Sequence, residues 1–357
     1  MSPNFSAPPL IPGLPEELAV HCLLHLPFPY HSLARSVSSP WNRALSSSAF
    51  LSSKSLHAHL FVFAFDPSNL GSQWQSLDPR SLRWFHLPSM PSPPDSGSTP
   101  ACPPAFAFAS IPRSGELFVL GGLRSDTHTP LRSVMMYRAG TNSWSVAEPM
   151  IKPRAFFSAG AIDGRGILAV GGDGGTDSVE RWEPGGRWRP SAGMGLEGIG
   201  RYDAAVMGSR MYVTEGWRWP FSFTPRAAVY DGKRDEWEEM REGMREGWTG
   251  SSGVAMGRLF VVSEFGDARV KVYDEDKDDW DAVDGGGVPS EIRRPFTVSG
   301  SEEGTIYVVG KGLDVAVGEI VARRKEEGNR WKVEWKVVKG PPAFRMLSPC
   351  CSLILYA

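Results

Sequence analysis

The sequence predicts four-stranded antiparallel sheets repeated around a ring, preceded by a small group of helices, and three observations predict it. The first is a recurring aromatic pair: Tyr137 and Trp144, Tyr230 and Trp237, and Tyr273 and Trp280 each stand seven residues apart, with Trp182 and Trp188 a variant six apart. The second is one complete unit in residues 201–240, with apolar runs at Tyr202 to Met207, Met211 to Thr214, Arg226 to Tyr230 and Trp237 to Met240. Its first two runs are joined by Gly208-Ser209-Arg210, a tight-turn sequence that signals an antiparallel hairpin. The third is spacing: the equivalent positions Gly121, Gly171, Glu215, Glu264 and Val309 are 50, 44, 49 and 45 residues apart. A period of about 40 to 50 residues with four strands per unit is the signature of a β-propeller.

Composition agrees with many short strands and tight turns. The 357 residues include 39 Gly and 30 Pro, 41% hydrophobic and 22% charged residues, and a formal net charge of -2. Lys and Arg are spread along the chain, so no concentrated basic face points to nucleic acid. Cys22, Cys102, Cys350 and Cys351 have neither metal-ligand nor redox spacing and read as reduced thiols. The first residues lack a basic region followed by an apolar core, and no apolar run reaches the length of a membrane span. The expectation is a soluble cytoplasmic or nuclear protein.

Residues 1–10 are polar and Pro-rich and are expected to be disordered. In LPEELAVHCLLHLP, Pro15 suits a first helical turn, Glu16 and Glu17 complement its positive end, and Leu18, Cys22 and Leu23 recur at helical spacing. Short helices around Ser32 to Val37 and Pro40 to Leu45 follow, carrying Leu33, Val37, Trp41 and Leu45. Such a group is too small to bury a stable core alone, so a partner is implied. The residues by themselves also allow a helical cap packed on the propeller. Leu14-Pro15, Leu18, Cys22-Leu23, Leu26-Pro27, Val37 and Trp41 together resemble the F-box, the module that docks on the Skp1 adaptor of cullin ubiquitin ligases. The resemblance implies that Leu14, Pro15, Leu18, Cys22, Leu23, Leu26, Val37 and Trp41 bind Skp1, and it divides the chain into residues 11–54 and 55–357. Cys22 stands where the family usually has a larger aliphatic residue.

The first blade shows three strands, around Leu60 to Phe65, Trp74 to Leu77 and Leu82 to Leu87. Residues 88–104 are Pro- and Ser-rich and are expected to form an unpaired, mobile loop. In blades two and three an apolar strand runs into Gly121-Gly122 or Gly171-Gly172 and is followed by an aromatic and then a Trp. That pattern resembles the kelch repeat, and in blades four to six the double glycine has decayed to Glu215-Gly216, Glu264-Phe265 and Val309-Gly310. Blade one is a strand short and SPCCSLILYA is a strand to spare, so the reading is a small all-α F-box followed by an all-β kelch propeller of six blades, closed by the C-terminal strand.

Catalysis finds little support. All seven His lie between His21 and His128, leaving blades three to six without an imidazole for a metal or a general base. The copper oxidases among kelch propellers need His and Tyr ligands converging near the axis, and the glycine pairs lack the Lys of a phosphate loop. DEDKDDWD, residues 274–281, lacks calcium-loop spacing and reads as a hydrated turn; ARRKEEGNRWK reads as a solvated hairpin loop. No cofactor and no metal are expected, and the protein is expected to be a non-catalytic adaptor.

Binding residues are sought instead in GWRWPFSFTPR, where Trp217, Arg218, Trp219 and Phe221 crowd the loop between the second and third strands of blade four. Exposed aromatics beside Arg are what binding hot spots are made of, although packing on a neighbouring loop would use them too. Arg154, Arg201, Arg245 and Arg294 each precede an innermost strand, so they form a positive collar around the channel mouth or hold adjacent blades together. Trp248 lies beside Arg245 and completes the expected aromatic and basic mouth. EGWRWPFSFTPRAAVYD, MREGMREGWTGSS, RRPFTV and IYVVGKGLDVAVGEI resemble plant F-box/kelch proteins that direct chalcone synthase to ubiquitination. Related plant proteins act on phenylalanine ammonia-lyase, so the resemblance implies a phenylpropanoid enzyme as protein substrate, chalcone synthase first.

Overall fold

Pro15, Ser38 and Ser47 set the start of the helices. In the computed structural model, α1 (Glu16–Leu24) follows Pro15, α2 is Tyr30–Arg35, and α3 (Ser39–Leu45) begins where the Ser38 hydroxyl accepts the Trp41 N–H at 3.3 Å. Ser47 caps α4 (Ser48–Ser53) in the same way, accepting the Phe50 N–H at 3.2 Å. The structure describes residues 9–69, 71–97, 101–172, 178–195, 203–215, 225–264, 266–322 and 331–357. Expected order begins at Ile11; in fact the Leu10 carbonyl already accepts the Trp41 indole N–H at 2.5 Å, while residues 1–8 lie outside the described residues.

The remaining chain is almost entirely strand. Blade one holds β1 (Ala58–Asp66), β2 (Gly71–Asp78) and β3 (Arg83–His86); blade two holds β4 (Ala101–Ile111), β5 (Glu116–Arg124), β6 (Val134–Arg138) and β7 (Ser143–Val146). Blade three is β8 (Ser158–Ile162), β9 (Gly166–Val170), β10 (Val179–Trp182) and β11 (Arg189–Ser191), and blade four is β12 (Asp203–Met207), β13 (Arg210–Thr214), β14 (Ala227–Asp231) and β15 (Glu236–Glu239). After the short helix α5 (Glu242–Gly247), blade five is β16 (Gly250–Ala255), β17 (Arg258–Ser263), β18 (Arg269–Asp274) and β19 (Asp279–Gly287). Blade six is β20 (Thr297–Gly300), β21 (Thr305–Val309), β22 (Val315–Ala322) and β23 (Trp331–Val338), and β24 (Ser348–Tyr356) ends the chain.

Each blade is an antiparallel meander, and blade one has the order β24-β1-β2-β3. The C-terminal strand therefore supplies the missing inner strand, with Leu60 opposite Ile354 and Phe61 opposite Leu353. The inner strands β24, β4, β8, β12, β16 and β20 touch in that cyclic order and β20 returns to β24, so the ring is closed. One feature has no counterpart in the sequence pattern: β19 and β23 meet in parallel at Asp284 and Lys332, joining blades five and six into one eight-stranded sheet.

The core is a ring of layers between neighbouring blades. Phe118 and Leu120 of blade two pack against Ile167 and Ala169 of blade three, and Val262 and Val272 of blade five against Ile306 and Val308 of blade six. The Tyr–Trp spacing explains itself here. Tyr137 faces Trp144, Tyr230 faces Trp237 and Tyr273 faces Trp280 across the third and fourth strands, with ring centroids 5.2, 5.3 and 5.4 Å apart. Each Trp N–H then reaches the carbonyl where the previous blade ends: Trp144 to Pro88, Trp237 to Ala192 and Trp280 to Gly243, at 2.9, 2.7 and 3.0 Å.

Two expectations are corrected. Residues 88–104 are not an unpaired loop throughout: Ala101 and Cys102 already pair with Arg124 and Leu123, and the Asp95 carboxylate accepts the Arg132 N–H at 2.7 Å and the Ser133 hydroxyl. The prolines are accommodated because the register shifts between Cys102 and Phe106, where a missing N–H breaks no ladder bond. In blade two the strand also does not end at the double glycine; β5 continues to Arg124. Gly121 has φ 61° and packs so close that a Cβ there would collide with the Arg154 carbonyl oxygen.

Candidate partner-binding surfaces

The helical module has a core of four side chains, Leu23, Ala34, Leu45 and Phe50, edged by Val20, Leu24, Leu26 and Trp41. One of the expected Skp1-facing residues, Leu23, is thereby reassigned. Leu23 is 2% exposed and lies on the inward face of α1, while Leu26 and Trp41 are half-buried at the rim of the same core. Leu14, Leu18 and Val37 remain at the surface with 36%, 53% and 63% of their area exposed, and Pro15 and Cys22 are exposed beside them. Leu33, four residues before Val37, is likewise 62% exposed. Its signal in the sequence is an apolar residue on a short helix whose inward position Ala34 already fills.

The module is seated on the propeller by the chain between α1 and α2. Phe28 enters the layer that holds Phe61, Phe63 and Leu355, with its ring 5.2 Å from His59 and 5.7 Å from Phe61. Arg35 donates to the Gly140 carbonyl at 3.1 Å, in the turn between β6 and β7. The buried His31 donates from Nε2 to the Leu23 carbonyl at 3.0 Å, and burial holds its pKa below the usual imidazole value. Burial, with Arg35 nearby, likewise lowers the Lys54 ammonium. The helices are thus a cap on the propeller that also leaves several apolar side chains exposed.

At the opposite end of the ring, loops joining second to third strands meet the linkers that enter each inner strand. Gly122 donates to Arg154, Glu264 to Thr249 and Lys311 to Arg293, all backbone to backbone at 2.8 to 3.0 Å. Of the residues expected to form one mouth, Arg154, Trp248, Arg245 and Arg294 fall within the described residues, and they divide. Arg154 is fully buried: it forms an ion pair with Glu180 at 2.8 Å and donates to the carbonyls of Gly171 and Ser178 at 2.6 and 2.8 Å. Trp248, 1% exposed, packs with Tyr212, Val229, Met244 and Val261 between blades four and five. Neither can touch a substrate, and both are corrected to structural residues. For Arg154 the blade-clamping alternative holds.

Arg245 and Arg294 stay accessible. Arg245 lines a cleft of ≈ 320 Å³ with Met194, Arg226, Trp237 and Glu239, and pairs with Glu239 at 3.4 Å. Arg294 lies over the Phe296 ring at 4.7 Å and pairs with Glu264 at 3.7 Å. Arg201, Trp217, Arg218, Trp219 and Phe221 lie outside the described residues, as does residue 323–330 of the second charged loop. In the turn at 274–281, Lys277 bridges Asp274 and Asp281 at 3.2 and 3.1 Å. Among the described residues no group of three His, Cys, Asp or Glu is placed to hold a metal, and no helix is long and apolar enough to cross a membrane.

Comparison with known proteins fits both halves. Residues 11–53 match the F-box domain and residues 113–151 the Kelch motif. The chain is 44% identical to F-box protein AFR of Arabidopsis thaliana over 359 residues, covering 98% of this chain and 93% of the relative. It is 39% identical to an F-box/kelch-repeat protein of the same plant, over 98% and 87% of the two chains, and 25% identical to F-box/kelch-repeat protein SKIP25, over 91% and 86%. None of these names states a substrate. With a helical module at one end of a six-bladed ring and both motifs in place, the chain belongs to the F-box/kelch-repeat family.

Proposed function

We propose that this protein is the substrate-recognition subunit of an SCF-type ubiquitin ligase: the F-box holds Skp1 and the propeller holds a protein substrate at its far end. One observation carries the reading, namely that Leu14, Leu18, Leu33 and Val37 are each exposed on a module already seated on the propeller through Phe28. Apolar side chains that serve neither the core nor the seat are available to a partner. No covalent chemistry is assigned to the chain; its contribution is effective concentration, bringing substrate lysines to a charged conjugating enzyme. The proposed substrate is chalcone synthase, supported by segments such as RRPFTV and IYVVGKGLDVAVGEI, with phenylalanine ammonia-lyase as the next candidate.

Capture assays with the full chain test both parts. Leu18→Glu with Val37→Glu is expected to weaken Skp1 binding at least about tenfold, since hot-spot losses run to ~2 kcal/mol or more, while the melting temperature stays within a degree or so. Undiminished Skp1 capture by that variant rejects these exposed side chains as the docking surface. Chalcone synthase ubiquitinated by the reconstituted ligase supports the substrate; modification of phenylalanine ammonia-lyase alone replaces it.

A further inference from the structure

We propose that Arg293, Lys311 and Arg345, carried by three stretches of chain that meet at Gly312 at the mouth end of blade six, anchor a carboxylate-rich segment of the protein substrate. This rests on the reading of the chain as an adaptor whose propeller holds a protein.

The three cations come from three separate stretches. Residues 310–314 join β21 to β22, and they run between the linker that enters β20 and the linker that enters β24. Lys311 donates its backbone N–H to Arg293 at 2.8 Å and Gly312 donates to Leu347 at 2.8 Å, which fixes the loop against both linkers. A methyl group added at Gly312 would stand 3.8 Å from Arg293 Nη2 and 3.8 Å from the Arg345 carbonyl oxygen, so the Arg293 guanidinium and the Arg345 backbone flank one point beside Lys311. With no side chain on Gly312, the floor between them is open.

Charge pairing distinguishes these residues from their neighbours. Arg294 is matched by Glu264 and Lys339 by Asp314, at 3.7 and 3.4 Å. Arg293 and Arg345 are exposed and Lys311 half-buried, and none of their side chains has a hydrogen bond or ion pair among the described residues. Glu291, the remaining acid on the linker entering β20, is exposed beside them. Unpaired cations fixed on three rigid supports present a positive field to an arriving chain and cost little reorganisation on binding.

The chemistry favours spaced carboxylates over a phosphate. Phosphate sites commonly use a cradle of free backbone N–H groups. Here the N–H groups of Gly310, Lys311, Gly312 and Leu313 are all consumed, by the carbonyls of Asp314, Arg293, Leu347 and Gly310. What the site offers is separate side-chain cations, suited to Glu and Asp side chains along an extended segment.

Fluorescence anisotropy of a labelled Glu-Gly-Glu-Gly-Glu-Gly peptide on the full chain tests this. Binding is expected to weaken with added salt and to fall about tenfold or more in Arg293→Glu with Arg345→Glu, while Arg187→Glu, an exposed Arg of blade three, leaves it unchanged. Equal loss in Arg187→Glu would reduce the effect to net charge and overturn the site. Measurable binding confined to a phosphoserine version of the peptide would overturn the carboxylate assignment. The peptide assay needs no Skp1, so failure of wild-type Skp1 capture would sink the adaptor reading separately, and normal Skp1 capture by the charge-reversed variant shows that it is folded.

Discussion

At Arg154 a full charge is buried, and its surroundings show why that is tolerable. Glu180, itself buried, takes the guanidinium at 2.8 Å and also accepts the backbone N–H groups of Ile151 and Lys152 at 2.7 and 3.0 Å. The pair ties the linker entering blade three to the third strand of that blade, and the Gly171 and Ser178 carbonyls satisfy the remaining donors. Removing one partner strands the other. Arg154→Ala is therefore expected to lose about 3–5 kcal/mol of stability, and Arg154→Met with Glu180→Leu to recover only part of it, because the apolar pair needs no desolvation but the Ile151 and Lys152 N–H groups lose their acceptor. Urea denaturation monitored by Trp fluorescence reads both variants. Unchanged stability in Arg154→Ala would show that the pair does not hold the linker to the blade.

At the scale of the element, β24 carries more than its own hydrogen bonds. It pairs with β1, and its Leu355 sits fully buried among Phe61, Phe63, Leu117 and Tyr137, so one strand joins blades one and two. Leu355→Ala is expected to cost about 2–5 kcal/mol, against less than about 0.5 for Val321→Ala on the exposed end of β22. Comparable urea midpoints for the two variants would contradict closure through this strand. The strand was legible in the sequence because blade one visibly lacked a partner and the chain end supplied one. The Tyr–Trp pairs were legible for a similar reason, since a cross-strand contact over a short turn leaves a fixed spacing. Arg154 and Arg294 were not separable that way. Both precede an inner strand, yet burial of Arg154 depends on Glu180, 26 positions on, whereas Arg294 meets Glu264 at the surface. The parallel bridge at Asp284 was equally hidden, as it depends on where two outer strands of neighbouring blades run beside each other.

Across the whole molecule the two proposed partner surfaces lie at opposite ends of the ring, so the seat of the F-box on the propeller sets the geometry between them. That seat contains titratable groups. His59 is buried beneath Phe28, and burial, opposed in part by Asp78, pushes its pKa down to about 4; its Nδ1 has no hydrogen-bond partner among the described residues. Arg80 donates to His57 Nε2 at 2.8 Å, which also favours a neutral ring, and Lys54 adds further positive charge nearby. The folded pKa of His59 lies below the unfolded value of about 6.5, so the unfolded chain binds the extra proton first on acidification. Its contribution is fully present above that value and is lost as the pH falls toward about 4, by up to ~3 kcal/mol. Carboxylates elsewhere also titrate in part of this window, so the comparison is made against His59→Phe, which keeps the ring contact with Phe28 and removes the proton site. Between pH 7 and pH 4.5 the wild-type urea midpoint is expected to drop further than that of the variant. Parallel pH profiles would show that His59 does not couple protonation to the seat.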